Sequence, residues 1–396
     1  HSQKSREIKE TELAGFNRAF SAKWHTVDFS DRFGRLVSAK VLMKRGNYYS
    51  FRYPYIYYFL KGRYLSRNID DVEIRLYIEK CCSHLYVREH ANTVLFLAHH
   101  TNNQFVVDAI LSVLRGLFKQ HKPVLFSGDT HTVSALIADA GKLKYSGTPP
   151  EEFREHLNET RDQLDDGTDG LAEAEENGDD LSLVAQLVTL FKTVEILGQV
   201  LKNQYSSIER HRKTEVLEEL FSGPLRALAG FYEFITKNPD LIVAEIDYAL
   251  KHQAKLDDDE ARMRIAKHIA ARVVQGMSLG FVCKASSSVN SESLREDIAT
   301  TVKRLDSPAF RLIELGVLLD SAAPIPKEAL LKTKEDTKAE AIPASLLNLL
   351  ILRRLYMFRM PEKDKQWLAA KIDVDLASQH AVDFRTTKMK RLKQQT

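Results

Sequence analysis

Apolar residues recur every three to four positions over long stretches of the second half of the chain. The clearest stripe comprises Leu183, Leu187, Leu190, Phe191, Val194, Leu197 and Leu201. A period near 3.6 residues is typical of helices that bury one face. Similar patterns predict further helices at 240–251, 258–279, 291–304, 307–319, 344–357 and 362–372.

Two further features shape the interpretation of this region. Proline interrupts the helical hydrogen-bond ladder, so we expect a helix break at Gly223-Pro224. No fixed-period repeat occurs, and a regular solenoid is therefore not predicted. We predict an irregular array of stacked helices over 181–384, and a mainly α fold for the whole chain.

The first 66 residues follow a different pattern. Three apolar residues at helical spacing predict a helix over 5–22: Leu13, Phe16 and Phe20. A short helix is predicted over 35–43, followed by the turn sequence KRGN and the strand formers YYSFR. Pro54 then suits the first turn of a helix that runs to residue 66. This order is typical of a winged-helix-like unit, which we place, with the N-terminal helices, in residues 1–66.

Charge divides the remaining chain. Residues 67–146 are predicted to form a helical domain of three or four helices. Residues 151–180 carry thirteen acidic and two basic residues, a local net charge of −11. We interpret 147–180 as an acidic mobile linker or hairpin that docks on the more basic body of the chain. Residues 385–396 form a predicted basic tail.

Composition limits the class of protein. Only 17 glycines and 11 prolines occur in 396 residues, which favours helices, and the formal net charge of +3 excludes a polyelectrolyte. The three cysteines show no CxxC or Cys/His metal spacing, which is typical of a reduced protein. No apolar run of about 18 residues occurs. We therefore predict no transmembrane helix and a cytoplasmic location.

Candidate chemistry is sparse. Neither GxxxxGK[ST] nor GxGxxG occurs, so we predict no P-loop ATP hydrolysis by this chain, no enzymatic activity and no cofactor. Asp129 and His131 in SGDTHT suit a metal site, but a helix cap by Ser127 or Asp129 is the simpler interpretation. His99 and the neighbouring histidines do not share a helix face. We predict no metal.

Residues 51–68, FRYPYIYYFLKGRYLSRN, combine aromatic and basic residues. This composition suits a platform on which nucleic-acid bases stack. The favoured alternative is a core helix, with Ile56, Phe59 and Leu60 on its buried face, tyrosines at its borders and residues 55–60 largely buried. The candidate partner-binding residues are Arg52, Tyr53, Lys61 and Arg63, with Lys388, Lys390, Arg391 and Lys393 in the tail.

The stretch GNYYSFRYPYIYYFLKGRYL resembles the end of the winged-helix domain in NACHT-type STAND ATPases, signal-transduction ATPases with numerous domains. In that family a strand ending in Phe-x-His precedes a helix with an aromatic residue and a closing Tyr-Leu. Phe51, Phe59 and Tyr64-Leu65 match these positions. Tyr53 replaces the histidine that commonly contacts the nucleotide phosphate, and Tyr58 replaces a common glutamate. We therefore expect Tyr53 to contact no nucleotide.

The segments 94–118 and 194–231 resemble helical regions of bacterial STAND proteins, so that the resemblance spans about 35–235. It implies a non-catalytic sensor or regulatory region that follows an ATPase core and serves bacterial antiphage defence. The implied partners are a protein ligand, such as a phage protein, or neighbouring ATPase or effector subunits, and no membrane. Two alternatives remain at this point: a free-standing helical scaffold or adaptor, and a helical nucleic-acid-binding protein.

Overall fold

A computed structural model describes residues 7–135, 137, 148–167, 182–252 and 258–372. These residues form two compact units. The first comprises the described residues up to Cys81 together with Glu89–Thr101, and the second comprises Cys82–Arg88 and the described residues from Asn102 onward. The described residues are mainly helical, as the sequence predicted.

The first unit contains a small antiparallel sheet. Its elements are β1 (Ile8–Lys9), α1 (Glu10–Lys23), α2 (Phe29–Ser38), β2 (Leu42–Arg45), β3 (Tyr48–Phe51), α3 (Pro54–Arg67), α4 (Val72–Ser83, up to Cys81) and α5 (Arg88–His100, from Glu89). The strand order is β1-β3-β2. Gly46 (φ 57°) lies in the two-residue connection of the β2–β3 hairpin, where a positive φ favours glycine.

The predicted helix over 35–43 was wrong. The helix of this region, α2, begins six residues earlier, where the Asp28 carboxylate accepts a hydrogen bond from the Asp31 N–H at 2.6 Å. Helix α2 ends at Ser38, and Lys40, two residues later, is left-handed (φ 57°). The next residue, Val41, donates its N–H to the Leu36 carbonyl at 3.0 Å. This is a Schellman ending, which usually carries glycine. The chain then continues into β2.

The predicted N-terminal helix over 5–22 also begins later than expected. Ile8 pairs with Tyr49 and Lys9 with Tyr48, so these two residues form a third strand that the sequence pattern did not predict. Helix α1 then runs from Glu10 to Lys23, and neither α1 nor α2 contains a fully buried residue.

The second unit is an irregular helical array. Its elements are α6 (Gln104–Gly116), α7 (His131–Ser134), α8 (Pro150–Gly167), α9 (Leu183–Asn203), α10 (Arg210–Lys237), α11 (Pro239–His252), α12 (Asp259–Ser288), a 3-10 turn (Glu292–Leu294), α13 (Arg295–Leu305), α14 (Pro308–Leu319), α15 (Lys327–Thr337), α16 (Ala341–Met357) and α17 (Glu362–Ala369). Helices α9, α10 and α12 pack on one another and form its centre, with α6 on one side and α14 and α16 on the other.

The predicted break in α10 was wrong, because tertiary packing outweighs the local cost of proline. Helix α10 continues through Gly223 and Pro224, and both residues are buried. A Cβ atom at Gly223 would lie 2.7 Å from a methyl carbon of Leu114 on α6, so the glycine allows close helix packing. A proline inside a helix costs about 3 kcal/mol, which burial of the surrounding apolar residues offsets.

Other helix predictions agree more closely. Helices α11 and α14 lie within about two residues of their predicted positions, and α14 begins at Pro308, in a position that favours proline. Helix α12 extends nine residues beyond its predicted end at 279. It includes Ser286 and Ser288, whose hydroxyls donate to carbonyls three residues earlier. Helix α15 was not predicted.

Part of the acidic segment is helical. In α8, the ring of Phe153 stacks on Tyr356 of α16 with centroids 4.8 Å apart, and the Glu151 carboxylate lies 2.9 Å from Arg359. Residues 168–181 lie outside the described residues.

Helix α9 is the single helix, among the described residues, that is long and apolar enough to cross a membrane. Half of its apolar window is buried by other helices of the unit. At Gly198 an added Cβ atom would overlap the carbonyl of Ser288 on α12, which shows how closely the two helices approach. Its apolar character is therefore explained by packing in the centre of the second unit.

Candidate functional site: the wing and helix α3

Helix α3 buries a different face from the one predicted. Tyr58, Lys61, Gly62 and Leu65 are buried. Phe59 and Leu60 are 44% and 41% exposed, so the prediction that residues 55–60 are largely buried was wrong.

Gly62 sets the orientation of α3. A Cβ atom there would lie within 2.7–2.9 Å of backbone atoms of Phe96 and Leu97 on α5. Only a residue without a side chain permits this contact, so the Gly62 side of α3 faces α5. Tyr58, one turn earlier, stacks on Phe96 with ring centroids 6.3 Å apart.

Lys61 is held on the same buried face. Its side chain is 3% exposed, and its Nζ lies 2.9 Å from Oε1 of Glu89. The ammonium also lies 5.3 Å and 5.2 Å from the ring centroids of Tyr57 and Tyr77. The Tyr57 hydroxyl donates to the same Glu89 oxygen at 3.4 Å. One carboxylate thus receives two donors from α3.

The electrostatics of this cluster keep the lysine charged. Burial lowers the pKa of Lys61, but its hydrogen bonds to Tyr77 and Glu89 outweigh this and raise the pKa above its ordinary value. Burial raises the pKa of Tyr77 to about 12, although the ammonium of Lys61 opposes part of that rise. Burial likewise raises the pKa of Cys81. The charged Lys61 therefore links α3 to α5 through Glu89. The raised pKa of Cys81 means that its thiol is not activated as a nucleophile.

The N-terminal end of α3 is open to solvent. Tyr53 and Tyr55 are 42% and 58% exposed, and their rings stack with centroids 5.6 Å apart and an interplanar angle of 16°. The guanidinium of Arg52 lies 5.8 Å from the Tyr53 ring centroid. Cation and rings together form a flat, accessible surface.

An apolar cleft lies beside this surface in the first unit. It has a volume of about 250 Å³. Its walls come from α1, α2, the sheet and α3, and include Leu13, Phe33, Tyr49, Phe51 and Leu60. Leu60, which the sequence placed in the core, is thus a wall of an open cleft.

The predicted site residues divide into three groups. Arg52, Tyr53 and Arg63 are exposed, and Arg52 and Tyr53 are in contact. Lys61 is buried against Glu89 and does not share their surface. The predicted tail residues lie outside the described residues: Lys388, Lys390, Arg391 and Lys393.

Sequence reasoning missed Glu89 and Tyr77 as partners of Lys61. They lie 28 and 16 positions away along the chain, and no motif links them to α3. A buried lysine needs a counter-charge, so knowledge that Lys61 is buried would have indicated an acidic partner. That burial depends on the close approach of α5 at Gly62.

The SGDTHT segment in the second unit serves the local fold. The Asp129 carboxylate accepts hydrogen bonds from the backbone N–H groups of Leu125 and Ser127, at 2.6 and 3.1 Å. It therefore closes the preceding loop, and the predicted cap of the following helix is not formed by Asp129 or Ser127. Glu340 accepts from the Gly128 N–H and the Thr130 hydroxyl, at 2.6 and 2.7 Å. Within the described part of the chain, no group of three potential ligands is placed to hold a metal ion.

A separate exposed surface lies on the second unit. Helix α11 packs along α12, yet it has no fully buried residue. Large apolar side chains on α10, α11 and α12 are 40–63% exposed: Phe234, Leu241, Tyr248 and Met263. We call these four residues the α11 surface. Met263 lines a groove together with Glu260, Arg264, Lys267 and His268.

Residues 6–60 match the family model described as Novel STAND NTPase 4. The match ends within α3 and thus covers the sheet, α1, α2 and the exposed Arg52–Tyr53 surface. It relates this part of the chain to STAND-type NTPases. No curated protein and no solved structure matches the chain.

Proposed function

We propose that this chain is a non-catalytic sensor or regulatory region of a STAND-type ATPase that acts in bacterial antiphage defence. The observation that carries the proposal is the family match over residues 6–60, which covers the sheet, α1, α2 and the start of α3 in the first unit. The STAND relationship makes an ATPase the natural partner of this region. The remainder of the chain then supplies the surfaces that regulate it.

The sequence supports a regulatory role. It contains no P-loop motif, so nucleotide chemistry would be supplied by another region or subunit. Tyr53, which by the sequence resemblance takes the position of a phosphate-contacting histidine, stacks on Tyr55 and lies beside Arg52. A phenol engaged in this way offers a stacking surface and no protonatable imidazole.

The proposed site for a protein ligand is the α11 surface. Its four apolar side chains are exposed on three consecutive helices, and Leu241 and Tyr248 lie two turns apart on the same side of α11. Exposed apolar residues that share a helix face commonly mark protein interfaces. Tyr248 is the most exposed of them, at 63%, and its ring packs on His252 with centroids 4.2 Å apart. An aromatic side chain presented in this way is a typical anchor of a protein interface.

A phage-protection assay tests the proposal. Bacteria that express the gene in its natural context would be challenged with phages, and plating efficiency would be compared for wild type and the double variant Leu241→Glu/Tyr248→Glu. We expect the variant to lose protection, because two charges at the centre of an apolar interface oppose binding. Both side chains are exposed, so folding should be preserved.

The matched control is Leu331→Glu on α15, where an exposed leucine of the same unit lies away from the α11 surface. It should retain protection. Purified chain would be assayed for ATP hydrolysis in parallel, with none expected. Hydrolysis by the chain itself, or full protection by the double variant, would contradict the proposal.

A further inference from the structure

One row of side chains crosses the three-stranded sheet of the first unit. In the antiparallel register, Tyr48 of β3 lies directly opposite Lys9 of β1 on one side and Arg45 of β2 on the other. Directly paired residues project to the same face of a sheet. The tyrosine is therefore flanked by a cation on each side.

Arg52 extends this row along β3. Its N–H donates to the Val41 carbonyl at 3.0 Å, so the ladder continues past the end of the strand. Extending the alternation of β3 by one residue, as this hydrogen bond implies, places Arg52 on the same face as Tyr48. Arg52 lies four positions after Tyr48, which places it about 13 Å from Tyr48 along the strand. We call Lys9, Arg45, Tyr48 and Arg52 the basic face.

The opposite face of the sheet is already occupied. Tyr49 packs on Phe33 of α2 with ring centroids 5.6 Å apart, and Leu42 is buried beside it. The cation on that face, Lys44, is paired with Glu10 at 2.9 Å. One face of the sheet therefore packs against the helices of the unit, and the basic face is exposed to solvent.

The basic face is accessible and carries a net positive charge. The same register places Glu7 opposite Ser50 on this face, so one carboxylate offsets part of the charge of the three cations. Tyr48 is 41% exposed, and its neighbouring cations are exposed as well. Within the described part of the chain, Lys9, Arg45 and Arg52 form no ion pair. Residues 7–67 contain twelve basic and five acidic residues, a net charge of +7. The charge of the whole chain is only +3, so this segment is the more basic part.

We propose that the basic face binds single-stranded nucleic acid. A cation on each side of an exposed tyrosine matches a ligand in which phosphates alternate with planar bases. The stacked Tyr53–Tyr55 pair beside Arg52 provides a second aromatic surface. Sheets that bind single strands combine exposed aromatic rings with a positively charged surface. An acidic peptide would use the cations but would leave the rings without partners.

The proposed nucleic-acid partner of the basic face is distinct from the protein ligand proposed for the α11 surface. Three residues of the basic face, Lys9, Arg45 and Tyr48, lie on three separate strands. The composition of any one stretch of the sequence therefore does not indicate them. Only the register brings them together.

Fluorescence anisotropy with a labelled oligothymidylate of about 20 nucleotides tests the proposal. The full chain would be compared with the triple variant Lys9→Glu/Arg45→Glu/Arg52→Glu at salt concentrations from about 50 to 200 mM. We expect the variant to bind at least about tenfold more weakly. The slope of log affinity against log salt should fall by about 2, since each lost phosphate contact removes about 0.7.

The matched control reverses three exposed arginines of the same unit that lie outside the basic face: Arg18, Arg32 and Arg67. The change in net charge is identical, so Arg18→Glu/Arg32→Glu/Arg67→Glu should keep most of the affinity. Equal losses in both variants, or no binding by wild type at about 50 mM salt, would overturn the proposal.

Tyr48→Ala separates stacking from charge. It should weaken oligothymidylate binding severalfold while leaving the salt slope unchanged, because no cation is removed. Poly-glutamate of similar length serves as the competitor. If it displaces the oligonucleotide as well as unlabelled oligothymidylate does, and Tyr48→Ala has no effect, the face is a general acidic-ligand site and the nucleic-acid proposal fails. Melting temperatures of all variants would verify that each is folded.

Discussion

Lys61 and Glu89 form an ion pair whose two members differ sharply in exposure. The lysine side chain is 3% exposed and the glutamate side chain 42%. The lysine therefore depends on the glutamate far more than the reverse, because only the carboxylate can be solvated in the absence of its partner.

This asymmetry predicts unequal effects of removing either charge. Glu89→Gln should destabilise the chain by about 2 kcal/mol, since it leaves a buried ammonium without a counter-charge, although solvent near the half-exposed position 89 relieves part of that cost. Lys61→Met should cost less than about 1 kcal/mol, because it replaces the charge with an apolar side chain of similar length. Urea unfolding of both variants measures the two effects. A larger loss for Lys61→Met would contradict the asymmetry.

Tyr77 predicts a loss of stability at alkaline pH. An unfolded tyrosine releases its proton near pH 10, whereas the pKa of Tyr77 in the folded chain is about 12. Between these values the folded state binds more protons than the unfolded state, so stability falls as pH rises. Tyr77→Phe should therefore show a shallower decline in unfolding free energy between about pH 10 and 12 than wild type.

The control for this titration is Tyr55→Phe, because the Tyr55 side chain is 58% exposed. It should follow the wild-type pH profile. If Tyr77→Phe also follows the wild-type profile, the buried phenol does not contribute to the alkaline transition.

Gly62 predicts a steric effect at the α3–α5 contact. Alanine usually favours a helix over glycine by about 1 kcal/mol. In Gly62→Ala, however, the new Cβ atom would lie 2.7 Å from the Phe96 carbonyl carbon, so the helices must separate. We expect a net destabilisation of about 2 kcal/mol. Gly276→Ala in α12 is the control: among the described residues, no atom outside its own stretch of helix lies within 4 Å of its Cβ position, and it should be stabilising by up to about 1 kcal/mol. Thermal melts of the two variants should shift in opposite directions.

Local signals in the sequence predict much of the fold but not its contacts. Helix α14 was predicted because proline, apolar spacing and length agree. Helix α2 was misplaced because its ending uses Lys40, at a position where glycine is the usual signal. A lysine in a left-handed conformation cannot be recognised from the sequence pattern.

The candidate sites show the same limit more clearly. Tyrosines and arginines marked residues 51–68 as unusual, and Arg52 and Tyr53 are indeed exposed and in contact. The orientation of α3 depends on Gly62 meeting the backbone of α5, a long-range contact that helical periodicity cannot encode. The basic face likewise depends on the pairing of β1 with β3, and β1 is too short to be predicted from its sequence pattern.

Neighbouring arginines on α16 allow a test of packing in the second unit. Arg354 is 4% exposed, and its guanidinium donates to the carbonyls of Leu319 and Ala323, at 3.2 and 2.8 Å. These carbonyls lie at and beyond the end of α14, where helix carbonyls lack partners within the helix. Lysine cannot provide the same planar pair of donors, so Arg354→Lys should cost about 2 kcal/mol.

Arg353→Lys is the matched control, because Arg353 is partly exposed and pairs with the Asp320 carboxylate at 3.0 Å. A lysine ammonium can preserve that pairing, so the cost should stay below about 1 kcal/mol. Urea unfolding measures both variants, and hydrogen exchange would show whether the end of α14 opens first in Arg354→Lys. Equal costs at the two positions would mean that the carbonyl contacts of Arg354 add little to the stability of the array.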